Sequence, residues 1–174
     1  AKGLIVDVRK NGGGSSSYGL QILSHLTTQA LPSSNSYVRA DNGYTLTRGS
    51  AITWKNLDGK QSTTSYTNQY IYTGPVVVLT GAATFSAAED FVLSYQLLKR
   101  GLTIGEATGG STGQPLGFNL PGGGSARICV KRDTYPDGSD FVGKGLQVDI
   151  EVKPTISDIR NGIDPVLNRA LQEL

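Results

Sequence analysis

Three short, unbroken apolar runs punctuate the chain: Gly3-Leu4-Ile5-Val6-Asp7-Val8, Pro75-Val76-Val77-Val78-Leu79-Thr80 and Leu102-Thr103-Ile104-Gly105. Each is too short for a helix and too continuous for a half-solvated surface, so each reads as a strand buried on both faces. Between the first two, Leu20, Ile22, Leu23 and Leu26 recur at helical spacing and predict an amphipathic helix ending near Ala30-Leu31-Pro32. Between the second and third, a helix is expected from about Ser86 to Lys99. The order β-α-β-α-β predicts an α/β fold with a mainly parallel sheet flanked by helices.

The stretch from Tyr37 to Tyr72 has a different rhythm. Asp41-Asn42-Gly43 and Asp58-Gly59 are turn signals beside the alternating segments Tyr44–Thr47 and Ala51–Trp54, which predicts β-hairpins. Leu116–Leu120 and Ser125–Lys131, joined by Pro121-Gly122-Gly123-Gly124, predict another. Asp164 followed by Pro165 marks the start of a closing helix, a capping side chain ahead of a first-turn proline. With no internal repeat, residues 1–174 read as a single domain. The first strand begins almost at residue 1, unusual for a central strand, so the expectation is that upstream sequence is absent and the chain is the C-terminal part of a longer protein.

Composition changes this picture little. Apolar residues at 37% and charged residues at 17% are ordinary for a globular chain. A net charge of +2 is too small to argue for nucleic acid or a membrane surface. No apolar run approaches the roughly 20 residues of a membrane span. Cys129 has no partner for a disulfide, and one His with one Cys offers no metal-ligand spacing, so neither metal nor cofactor is expected.

The chemistry is carried by the strand that turns sharply through Gly81-Ala82-Ala83-Thr84-Phe85 into Ser86 at a helix start. Unpaired helical N–H groups and the positive end of the helix favour a developing anion there, which suits a nucleophilic serine. The spacing alone fits a plainer role equally well, with Ser86 as helix cap and Glu89 completing a capping box. Asn11-Gly12-Gly13-Gly14 is open to two readings too: a tight strand-to-helix turn, or a set of amides presented to an anion. A nucleotide-binding reading is disfavoured, since neither a G-x-G-x-x-G pattern nor a P-loop lysine is present. His25 reads as a half-exposed surface residue on the first helix.

Five segments in order decide between these readings. They are Asp7-Val8-Arg9-Lys10-Asn11-Gly12-Gly13-Gly14; the Pro75–Leu79 strand leading to Ser86-Ala87-Ala88-Glu89; Ile104-Gly105-Glu106-Ala107-Thr108-Gly109-Gly110; Gly143-Lys144-Gly145-Leu146-Gln147-Val148-Asp149-Ile150-Glu151-Val152; and Asp164-Pro165-Val166-Leu167. Together they resemble the tail-specific, or C-terminal processing, serine peptidases, and most nearly their tricorn-core-like branch. The resemblance runs from about residue 3 to residue 171, with Tyr37–Tyr72 the least characteristic part.

The resemblance implies a crotonase/ClpP-like spiral fold and Ser86 as nucleophile. It implies oxyanion donors on Gly12 or Gly13 and on Ala87, each such amide being worth about 3 kcal/mol to the transition state. The substrate would be a peptide or a protein C-terminal tail bound as an added strand. The catalytic base divides the family. One branch uses a lysine about 25 residues after the serine, where this chain has Ser111, and Lys99 at the exposed end of the helix is a poor substitute. The other branch takes a histidine from upstream, which here falls before residue 1. That branch adds a downstream acidic residue, for which Asp140 is the best match and Glu106 the next. Lys144 and Val148 stand where the pattern has an apolar residue and a proline. An upstream domain of the same protein and a periplasmic or cell-surface location follow from the same resemblance. On this reading the isolated fragment lacks its base and is inactive. Two alternatives are a non-catalytic ligand-binding module of the same architecture and a crotonase-like acyl-CoA enzyme, whose CoA-binding loop and glutamates are not found.

Overall fold

The computed structural model describes residues 1–57 and 63–174. At its centre is a four-stranded parallel sheet in the order β1-β6-β7-β11, made of Leu4–Asp7, Val76–Thr80, Leu102–Gly105 and Ile150–Glu151. Val76–Thr80 is buried along its whole length because it has strands on both sides and helices over both faces. The pleat sends alternate residues to opposite faces. Val76 and Val78 join Leu23, Phe91, Val92 and Tyr95 on one side. Val77 and Leu79 join Ile104, Val166 and Ala170 on the other. The first face is covered by α1 (Ser16–Ser24) and α3 (Ala87–Leu97), the second by α5 (Pro165–Gln172).

The expected mixed α/β architecture is therefore present, with corrections at several elements. Among the described residues β1 is the end member of the sheet, with Leu4 and Asp7 exposed and β6 beside it. α1 stops at Ser24 rather than near Leu31. Leu26 is still buried, but in a turn whose N–H bonds to the Leu23 carbonyl. Leu31–Pro32 (β2) instead pairs with Thr63–Thr64 (β5).

Between 35 and 57 the expected hairpins are realised only in part. Asn35–Arg39 (β3) pairs antiparallel with Trp54–Asn56 (β4), and Arg132–Thr134 (β10) lies on its other side. Tyr44–Thr47, expected as strand, is part of a short helix, α2 (Gly43–Thr47). Asn42 starts it, its Oδ1 accepting the Thr45 N–H at 3.1 Å while Thr45 Oγ1 accepts the Asn42 N–H at 3.1 Å. That local capping bond outcompetes a weak alternation whose apolar members, Tyr44 and Leu46, have no core to face. The expected Asp58-Gly59 turn lies outside the described residues.

The second expected hairpin is formed by Pro115–Asn119 (β8) and Ser125–Cys129 (β9), paired Leu116 to Ile128 and Phe118 to Ala126. Ile156–Arg160 forms a further short helix, α4. Asp164 caps α5 as expected, its Oδ1 accepting the Leu167 N–H at 2.9 Å.

Candidate active site

Two turns at the C-terminal ends of β1 and β6 are bonded into one unit. Thr84, fully buried, accepts the Gly81 N–H at 3.1 Å and donates its hydroxyl to the Val8 carbonyl at 2.8 Å. One residue on, the Phe85 N–H reaches the Asn11 carbonyl at 3.0 Å. The segment before Ser86 is thus riveted to the segment before the glycines. Ser86 itself sits at φ 57°, ψ −124°, a region that side-chain-bearing residues rarely occupy and that persists only when neighbours enforce it.

Gly13 is one of those neighbours. It has φ +97°, and a Cβ there would lie 2.6 Å from the Phe85 oxygen, 2.7 Å from Ser86 Cβ and 3.0 Å from the Ala87 nitrogen. Only a residue without a side chain lets the two turns close. Gly12 meets nothing within 4 Å of the same position. The Gly13 N–H is held by Asn11 Oδ1 at 3.0 Å in a local Asx turn. Ala87 opens α3, so its N–H has no intrahelical acceptor and borders the space directly over Gly13.

Glu89 supplies the clamp on the far side. It is fully buried and, among the described residues, has no ionic partner and accepts four hydrogen bonds. Oε2 takes the Ser86 N–H at 3.0 Å and the Ser111 N–H at 2.8 Å; Oε1 takes the Thr108 hydroxyl at 2.6 Å and the Gly110 N–H at 2.7 Å. In return the Glu89 N–H goes to the Ser86 carbonyl oxygen at 2.7 Å. The Glu89 half of the capping box read in the sequence is formed, and it does more than cap: it joins the serine turn to the Thr108–Ser111 loop. Ser111 is thereby tied to the same carboxylate oxygen as Ser86. Leu146 N–H to Thr108 Oγ1 at 2.7 Å and Gly143 N–H to the Gly110 carbonyl at 2.7 Å bring in the next loop.

Beside the Gly13–Ala87 contact lies an apolar cavity of about 320 Å³ between α1 and α3. Val6, Val8, Tyr18, Ile22, Ala88 and Phe91 are among its walls, with Tyr18 and Ile22 exposed at the rim. A larger, polar cleft of about 830 Å³ opens on the other side of Asn11, over the ends of β1 and β6. Arg9 lies there with Asp7 at 2.7 Å and Asp164 at 2.8 Å. The Arg9 guanidinium holds both carboxyls below their usual range, and they in turn push the Arg9 pKa up.

The remaining sequence candidates are placed as follows. Glu106 lines the polar cleft with Arg9 and Asp164. Asp140 is exposed and paired with Arg132 at 2.8 Å, but the loop after it is the one tied to Gly110. His25 is exposed at the C-terminal end of α1, its Nδ1 3.4 Å from the Tyr70 carbonyl. Lys99 is exposed beyond α3 with φ 50°. Cys129 is exposed on the β8–β9 hairpin. Among the described residues there is no group of three or more His, Cys, Asp or Glu placed to hold a metal ion, and no helix is long and apolar enough to cross a membrane.

From the sequence Glu89 reads only as a capping partner. The local Ser-x-x-Glu spacing was the available signal, but its other three donors come from residues 19 to 22 positions away.

Known proteins carry the same arrangement of chain. The chain is 26% identical over 155 residues to the chloroplastic C-terminal processing peptidase of Tetradesmus obliquus, covering 88% of itself and 29% of that protein. A solved structure of a candidate peptidase from Parabacteroides merdae superposes with a TM-score of 0.81 at 30% identity, over 99% of this chain and 51% of that one. The tricorn protease shares the fold, with a TM-score of 0.57 at 22% identity over 98% of this chain and 14% of its own. The chain thus spans about half of one relative and under a third of another. The model of peptidase family S41 matches residues 1–152, and the chain belongs to that family.

Proposed function

We propose that this chain is the catalytic part of a serine endopeptidase acting on peptides or on protein C-terminal tails, with Ser86 as nucleophile. The observation that carries the reading is how closely Gly13 approaches the serine turn: a Cβ on it would fall 2.7 Å from Ser86 Cβ and 3.0 Å from the Ala87 nitrogen. It puts a hydroxyl-bearing side chain, an unpaired helical N–H and a glycine turn around one small space, which is what acyl transfer requires.

In this scheme Ser86 Oγ attacks the substrate carbonyl and its proton passes to the base. The carbonyl oxygen becomes an oxyanion held by the Ala87 N–H and by an amide of Gly12 or Gly13. The Gly12 amide is favoured because that of Gly13 is bonded to Asn11 Oδ1. Collapse breaks the C–N bond, the departing amine takes the proton, and water then hydrolyses the acyl-serine. The apolar cavity would receive the substrate side chain next to the cleaved bond, selecting aliphatic or aromatic residues.

The base is proposed to be a histidine of an upstream segment, since His25 and Lys99 lie elsewhere. Asp140 is kept ahead of Glu106 as its acidic partner because Glu106 faces the polar cleft. A substrate added as a strand, an upstream domain and a periplasmic or cell-surface location complete the proposal. The test uses the natural full-length protein: a fluorophosphonate probe should label Ser86, and Ser86→Ala should abolish both labelling and peptide cleavage. Cleavage that survives Ser86→Ala rejects the scheme.

A further inference from the structure

The glycine turn is bonded to the serine turn from above, through Asn11 and Phe85. Behind it, where α1 begins, lies a polar cluster that the reaction scheme does not use. Ser16 is the first residue of α1, two positions after Gly14, and its hydroxyl donates to Asp90 Oδ2 on α3 at 2.5 Å. Three residues along α1, Gly19 packs on Phe91, where a Cβ would come within 3.0 Å of Phe91 Cβ. The two helices therefore meet closely at adjacent positions, one polar and one apolar. The polar contact is the nearer to both turns.

Asp90 borders a cavity of about 180 Å³ whose walls include Ser16, Ser34, Ser36, Ser94 and Lys131. Behind it Asp133 is fully buried, with Oδ1 bonded to the Ser36 hydroxyl at 2.7 Å and to Lys131 Nζ at 3.1 Å. Its second oxygen is buried without a partner among the described residues. Among the described residues the charges acting on Asp90 are the Lys131 ammonium and two carboxylates, Asp133 and its own neighbour Glu89. Burial and those two carboxylates raise its pKa; the Ser16 bond and Lys131 oppose the rise.

We propose that the Ser16–Asp90 hydrogen bond is a latch holding the Asn11–Gly14 turn in register with the Ser86 turn, so that Asp90 is a positioning residue for the oxyanion-binding amides. The latch rests on the serine-peptidase reading for its catalytic effect, and on geometry alone for its hold on the turn. A hydroxyl bonded to an ionised carboxylate is shorter and stronger than one bonded to the neutral acid. The latch is therefore tight above the raised pKa of Asp90 and loosens as pH falls through it. Burial chiefly sets where that happens, with the Ser16 bond next and Lys131 and the carboxylates of Asp133 and Glu89 adjusting it.

The experiment has two arms on the natural full-length protein. In the first, the amide signals of Gly12, Gly13 and Gly14 are followed by NMR against pH. They should shift with a common acidic midpoint in the unmodified protein and lose that midpoint in Asp90→Asn, which keeps the shape but cannot titrate. In the second, peptide cleavage is measured for Asp90→Ala, Ser16→Ala and the cavity-wall control Ser94→Ala. Displacing the turn should lower kcat about 10- to 100-fold with KM little changed in the first two and leave the control near normal.

Glycine amides that titrate unchanged in Asp90→Asn overturn the latch, as does an unaltered kcat in both Asp90→Ala and Ser16→Ala. An equal loss in Ser94→Ala also overturns it, by showing a general effect of the cavity. Activity that survives Ser86→Ala instead refutes the nucleophile, and the amide titration then still decides whether the latch holds the turn.

Discussion

The carboxylate of Glu89 holds the main-chain N–H of Ser86 at 3.0 Å and, through the same oxygen, that of Ser111 at 2.8 Å. One buried side chain thereby fixes both the strained backbone at Ser86 and the loop that closes the site. Replacing Glu89 by Ala strands four donors, two of them buried and two half-buried. The cost should be about 3 kcal/mol or more of unfolding free energy, measured by urea denaturation. Glu89→Gln should cost less, because its carbonyl oxygen still satisfies some of those donors while its amide group opposes others.

The two glycines singled out in the sequence should differ sharply. Gly13→Ala forces a side chain into the Phe85 carbonyl and Ser86 Cβ at a positive φ, so a loss of about 2 to 4 kcal/mol is expected, together with loss of serine labelling. Gly12→Ala meets open space and should stay within about 1 kcal/mol of the parent. Thermal melts of the two variants, compared side by side, check this contrast.

Arg9 bridges β1 and the cap of α5 through Asp7 and Asp164, both with lowered pKa values. A carboxyl whose pKa is lower in the folded chain contributes stability that is present above its unfolded value, about 3.8, and lost as pH falls through the folded value. Arg9→Met should remove that contribution. The variant should be less stable than the parent at neutral pH, and the difference should shrink as acid protonates the two aspartates. Both carboxyls are over a third exposed, so the effect is screened and should fall further with added salt.

Asp90 has the opposite sign. Its pKa is raised, so the folded chain binds its proton more tightly than the unfolded one, and stability falls as pH rises from 3.8 through the raised value. Asp90→Asn should therefore gain stability relative to the parent as pH rises toward neutrality, with the two converging in acid. Urea midpoints at pH 4 and pH 7 would reveal it. A convergence at neutral pH in place of acid would contradict the sign.

Much of this molecule was legible from residue order. The three apolar runs became parallel neighbours in one sheet because nothing but burial suits them, and Asp164-Pro165 capped its helix because capping is decided within four residues. The motif order was enough to point to the peptidases. The sequence also brought out Ser86, Gly12, Gly13 and Ala87 as a set, although the contact of Gly13 with the Ser86 turn joins positions more than seventy residues apart.

What the chain order could not decide was which long-range partner each short segment finds. Tyr44–Thr47 has the alternation of a strand, yet among the described residues no strand offers it a buried face, so the Asn42–Thr45 cap prevails. β1 reads as a buried strand by hydrophobicity, and its place beside β6 is fixed by a register with residues more than seventy positions on. Glu89 and Asp90 look like two ordinary first-turn carboxylates. Tertiary structure separates them: helical geometry turns consecutive residues roughly 100° apart, sending one into the serine turn and the other across to α1.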